Sequence, residues 1–200
     1  MGTVDVWPVI QSERKALASD LAGLDQQQWA VRSLCTEWTV RDVLAHMTAT
    51  AKITPGGFFP KLLASGLSFT RMQAKDIAAE KGGTPADTLA GFELIETSRK
   101  HPPGPGDTML GETIIHAQDI RGPLGIQHDY PTDAVVQVAD RFLLRERDGN
   151  DGLLVAIDHA GDEPRVAQAL VRPRPQLRPL LGGDLCSLGH GSDSVCLKSC

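Results

Sequence analysis

The sequence predicts a mainly all-α protein, an up-down bundle of four principal antiparallel helices followed by a small irregular C-terminal segment. Apolar residues recur at helical spacing as far as about residue 148. Thr and Asp caps and Gly/Pro breaks cut this periodic stretch into pieces of helix length. Only beyond it does the chain turn strand-like, then rich in Pro, Gly and Ser.

In order, Val9, Ile10, Leu17, Leu21 and Leu24 mark a first helix over Val6 to Leu24, ending near Gly23. In "SLCTEWTVRDVLAHMTATA", Thr39-Val40-Arg41-Asp42 reads as a capping box, so a second helix starts near Val40 and ends at "PGG", 55–57. A third lies within "FFPKLLASGLSFTRMQAKDIAAE", with a bend or change of helix expected at Gly66 and a break at Gly82-Gly83. Thr84, Pro85 and Asp87 open a short helix that "HPPGPGD" closes. Asp107 is placed to cap the next helix, and Gly122-Pro123 to stop it. "PTDAVVQVADRFLLRERDGN" follows with Val135, Val138, Phe142 and Leu143 on one side, and "GLLVAID" at 152–158 is strand-like. No internal repeat of fixed period is visible.

Composition bounds the function. With 200 residues, 41% hydrophobic and 22% charged, the chain can bury one substantial core, so one soluble domain is expected. A net charge of −5 with acids and bases interspersed offers no basic stripe for nucleic acid. The opening "MGTVDVWPVIQSERK" has an acid and a proline where a secretory signal needs a basic start and an apolar run. No apolar stretch reaches membrane-spanning length. A cytoplasmic protein that engages neither membrane nor nucleic acid is expected, with a homodimer left open. Cys35, Cys186, Cys196 and Cys200 are too sparse and lopsided for a disulfide framework, and reduced thiols are the simplest reading.

The chemistry concentrates in "GETIIHAQDI", residues 111–120, where Glu112 and His116 stand four apart and Asp119 three further on. A helix brings these onto one face, where a carboxylate and an imidazole either pair with each other or grip a third partner. Of six histidines, His101, His128, His159 and His190 fall in loops, turns or near glycines. His46 lies inside a helix, flanked by Leu44 and Met47. Spacing alone leaves two readings open: a core histidine plus a surface pair, or ligands of one metal. There is no Gly-x-Ser-x-Gly elbow, no phosphate-binding Gly-rich loop and no His-Glu-x-x-His.

"WAVRSLCTEWTVRDVLAHMTA" followed by "GETIIHAQDIRGPLGI" resembles the mycothiol-dependent maleylpyruvate isomerase type of the DinB-like superfamily, over roughly residues 5 to 160. The resemblance implies a DinB-like bundle whose metal ligands are His46, Glu112 and His116. It also implies a mycothiol-like thiol as cofactor and a small electrophile as substrate. Two imidazoles and a carboxylate suit zinc, or another borderline divalent metal, and three protein ligands leave a coordination position open. A metal favours thiolate over thiol, and thiolate is the nucleophile. An isomerase or thiol S-transferase is the expected activity. The alternatives are a non-catalytic metal-binding stress protein and a metal hydrolase with Asp119 as its base.

On these terms residues 1–148 form a helical metal-binding domain and 149–200 a short strand-like segment with an atypical tail. Asp119 is a candidate to orient a ligand imidazole, or else serves the helix end or pairs with Arg121. Arg71 is a candidate substrate anchor. Trp29 and Trp38 are expected to pack the first helix connection, Asp42 to serve its cap, and Cys35 to pack. No residue is singled out as catalytic. The tail departs from the family, and Cys186, His190, Cys196 and Cys200 lack the paired Cys-x-x-Cys that would support a second zinc site.

Overall fold

The computed structural model describes residues 5–35, 37–147, 157–158 and 165–166. It is an all-α, DinB-like bundle framed by α1 (Trp7–Leu21), α3 (Val40–Lys52), α5 (Phe69–Lys81) and α7 (Thr108–Leu124). Between them run α2 (Gln26–Trp29), α4 (Pro55–Ala64) and α6 (Pro85–Glu93), and α8 (Thr132–Arg147) follows against α7. α7 packs on both α1 and α3, while α5 and α6 cover the remaining sides of α3. Ile10, Leu17 and Leu21 of α1 meet Val43 and Leu44 of α3 and Ile120 of α7 in a core closed to solvent. Each such side chain contributes about 1.5–3 kcal/mol by leaving water.

Local chemistry sets most boundaries. Thr39 accepts from the Asp42 N–H while Asp42 accepts from the Thr39 N–H, and Thr84 with Asp87 repeats this box at α6. Asp42 also takes Lys81 at 2.6 Å, which ties the start of α3 to the end of α5. Gly66 (φ 66°) and Leu67 (φ 59°) are both left-handed, so the bend expected at Gly66 is a complete break, and Ser68 caps α5 anew.

Several boundaries differ from the sequence reading. The first helix ends at Leu21, and "QQQW" forms the separate turn α2, because Asp25 builds its own capping box with Gln28. "PGG" does more than end a helix: Pro55 stands in the first turn of α4, where no N–H is needed, and Thr54 caps it. Asp107 occupies the N-cap of α7 without a side-chain capping bond. Gly122-Pro123 does not stop α7, which runs on to Leu124 and ends at Gly125 in the left-handed conformation (φ 69°). Pro123 cannot donate to the carbonyl four residues back, that of Asp119, and the Leu34 N–H fills this place at 3.1 Å.

Of the strand-like stretch, Ile157–Asp158 forms β1 and pairs antiparallel with β2, Arg165–Val166, with Ile157 opposite Val166. The rest of 152–158, the side chains of Phe142 and Leu143, and the tail with Cys186, His190, Cys196 and Cys200 lie outside the described residues. Among the described residues, no helix is long and apolar enough to cross a membrane.

Candidate metal centre

α3 and α7 bring together the three residues that the resemblance implied as ligands. His46 is buried on α3, one turn past Asp42, on the side that carries Val43 and Met47 into the core. Glu112 and His116 stand one turn apart on α7, and the two imidazole rings meet edge to face at 5.1 Å. His46 Nε2 lies 3.0 Å from Glu112 Oε1, and His116 Nε2 lies 3.5 Å from Glu112 Oε2. One donor atom from each of the three falls within 4.8 Å of the others. Ligands about 2.0 Å from a tetrahedral ion sit about 3.3 Å apart, close to these separations.

A carboxylate oxygen decides whether the residues fit an ion. Glu112 Oε1 is shut off from solvent, with the ion-pair contact to His46 Nε2 at 3.0 Å beside it and no hydrogen bond that satisfies it. A buried, unmatched oxygen costs about 1–3 kcal/mol unless something else meets its lone pair. A cation shared by the three donors would do so.

Asp119, left open between three roles, bonds His116: Oδ2 lies 3.0 Å from Nδ1. An ionised carboxylate can only accept, so Nδ1 donates to it, and it is Nε2 that turns toward Glu112 and His46. It does not pair with Arg121, which holds Asp20 at 2.7 Å and donates to the Tyr130 hydroxyl at 3.0 Å.

Burial alone would raise the Glu112 carboxyl, but the charges of His116 and His46 outweigh it and hold the group well below the usual carboxylate range. At His116 burial works to lower the pKa, while the Glu112 charge and the bond to Asp119 lift it to about 10. Arg14, buried on α1, donates to the Ile95 and Ser98 carbonyls at 3.1 and 2.9 Å. Its burial brings it down to about 10 against the opposing charge of Glu112.

Trp38 does more than pack the helix connection: its ring lies 4.9 Å from that of His46. Cys35 is buried, as expected of a packing residue, with its sulfur 3.3 Å from Asp119 Oδ2, while the other three cysteines lie outside the described residues.

A cleft of about 260 Å³ opens beside His46 and Glu112. α3 walls it with Ala49 and Thr50, three and four positions beyond His46, and its C-cap residue Ile53, seven beyond, continues that wall. α5 contributes Phe69, Met72, Gln73 and Asp76 at the same spacing. Sequence reasoning missed this cleft, although those two repeats were the signal for it. Arg71 is exposed on α5 and is not part of the wall.

Residues 10–99 match the family model of the mycothiol maleylpyruvate isomerase N-terminal domain, a span that includes His46 and ends before Glu112 and His116. No curated protein and no solved structure matches the chain. Over residues 10–99 the chain is therefore similar to the mycothiol maleylpyruvate isomerase N-terminal domain, the family that its motif around His46 resembles.

Proposed function

We propose that this chain binds a divalent metal, zinc foremost, through His46, Glu112 and His116, and activates a low-molecular-weight, mycothiol-like thiol toward a small electrophile. The observation that carries the proposal is the buried Glu112 Oε1, unmatched by any hydrogen bond yet set among two imidazole nitrogens. An ion there would favour thiolate over thiol at neutral pH. The chain's own groups do the rest. Asp119 fixes the direction of His116, Trp38 packs on His46, and the cleft offers the electrophile a seat against His46 and Glu112. Addition of the thiolate to an unsaturated carbon followed by its expulsion gives an isomer, while addition alone gives a thioether and a transferase.

Metal analysis should find one ion per chain, lost in both His46→Ala and His116→Ala. Thiol titrated into the loaded protein should then ionise at least a unit below its free pKa. Full occupancy in both variants would refute the ligand set, and an unshifted thiol would leave a metal-binding protein without this activity. Hydrolysis needs a separate base near the ion. Asp119, the group the sequence offered for it, is engaged with His116.

A further inference from the structure

We propose that the turn joining α4 to α5 seats the chain on an anionic membrane surface, independently of the thiol-activating reading. Of the six large apolar side chains exposed among the described residues, Phe59, Leu63, Leu67 and Phe69 all fall between residues 59 and 69. α4 buries none of its residues, and its one polar side chain is Lys61. Phe59 and Leu63 stand a turn apart on it, 63% and 69% exposed. Phe58 meets Phe59 edge to face at 5.5 Å and lies 6.4 Å from Phe69, so the group is continuous across both helices. Scattered apolar residues on a surface need no account, whereas a contiguous group marks a contact.

Leu67 points the same way. The Leu67 N–H bonds to the Leu62 carbonyl at 2.9 Å behind the left-handed Gly66, which places Leu67 where an apolar residue ordinarily packs back on the helix it ends. Here it is 72% exposed, and its own φ of 59° is a conformation that a bulky side chain rarely adopts. Folding alone favours Asn or Gly there. Charge then selects the occupant. From Pro55 to Lys75 the chain carries Lys61, Arg71 and Lys75 and no acid, against a net charge of −5 overall. All three are exposed, and they ring the turn: Arg71 lies beside Gly66, Lys75 donates to the Ala64 carbonyl at 3.0 Å, and Lys61 meets Asp76 at 2.7 Å. Apolar side chains that enter the acyl boundary and cations that meet anionic headgroups are the two terms of surface attachment. A two-fold contact with a second copy would instead set these cations against their own kind. The lack of a spanning stretch bears on crossing a bilayer and not on lying against one.

Cosedimentation of the full chain with vesicles tests this. Vesicles of phosphatidylcholine with about 30% phosphatidylglycerol should bind it at least tenfold more tightly than phosphatidylcholine alone, and added salt should weaken the binding. The double variant Phe59→Ser, Leu63→Ser should lose at least tenfold in binding with unchanged circular dichroism, since neither side chain is in the core. Leu67→Asn suits the left-handed backbone better, so it should hold or raise the thermal midpoint while cutting vesicle binding at least threefold; a leucine serving the fold alone would lower the midpoint and leave vesicle binding as it was. Equal binding to both kinds of vesicle, binding to neither, or full binding by the double variant would overturn the proposal. So would a concentration-dependent dimer that the double variant abolishes in a chain that ignores vesicles, because a second copy would then be the occupant.

Discussion

Replacing Glu112 by Gln keeps the side chain's volume and its place on α7 but exchanges a charged oxygen donor for a weak neutral one. Metal occupancy at equimolar zinc should fall at least tenfold while far-UV circular dichroism stays helical, and undiminished occupancy would remove Glu112 from the ligand set. Asp119→Asn leaves all three donors in place but loosens His116, and should weaken metal affinity about 10- to 100-fold. His116 also predicts a pH dependence. In the metal-free chain its pKa of about 10 lies above the ordinary imidazole value of 6.5, so the stability it contributes is complete below 6.5 and is lost as pH rises through about 10. A metal must displace that proton. Calorimetry at pH 7 in two buffers of different ionisation enthalpy should therefore record release of about one proton per ion, and affinity should rise about tenfold per pH unit toward alkaline pH. Binding without proton release would contradict this.

At the scale of the element, what could be read from the sequence was what neighbouring residues decide by themselves. The capping boxes of Thr39 with Asp42 and Thr84 with Asp87 are complete within four residues, and both appear where expected. Thr84→Ala should accordingly cost about 1 kcal/mol in chemical denaturation. Glu112 and His116 could be paired because one turn of helix fixes their spacing, and His46 stood out because, of the other five histidines, it alone sat in a helix. What could not be read depends on contacts between distant segments. Pro123 looks like a stop until the Leu34 N–H reaches the Asp119 carbonyl, and Gly125, two residues on, ends α7 instead. Arg71 looked like an anchor, yet the face of α5 that meets the cleft carries Phe69, Met72, Gln73 and Asp76, and position 71 does not fall on it. Trp38 became a neighbour of His46 only when the connector before α3 folded back, Ser33 N–H to Trp38 O at 3.0 Å and Val40 N–H to Val31 O at 2.9 Å.

For the whole molecule, the centre joins helices that are far apart in the chain. His46 comes from α3 and the other two proposed ligands, Glu112 and His116, from α7, so an ion bound there would tie the bundle together across its interior. An ion at a hundred times its dissociation constant should stabilise the folded chain by about 2.7 kcal/mol. For a protein of this length that corresponds to a rise of about 5–10 °C in thermal midpoint. Differential scanning calorimetry with zinc and with chelator checks it, and identical midpoints would mean that the ion is not shared between the two helices.

The bond from the Leu34 N–H to the Asp119 carbonyl also bears on how this chain can change in descent. Surface connectors ordinarily absorb insertions and deletions, since nothing depends on their length. Here one residue gained or lost between Trp29 and Thr39 would carry the donor past the carbonyl that Pro123 leaves open, on the residue whose side chain aims His116. The stretch from 30 to 39 should therefore vary among descendants by substitution and hold its length, as a helix does, although it is a loop.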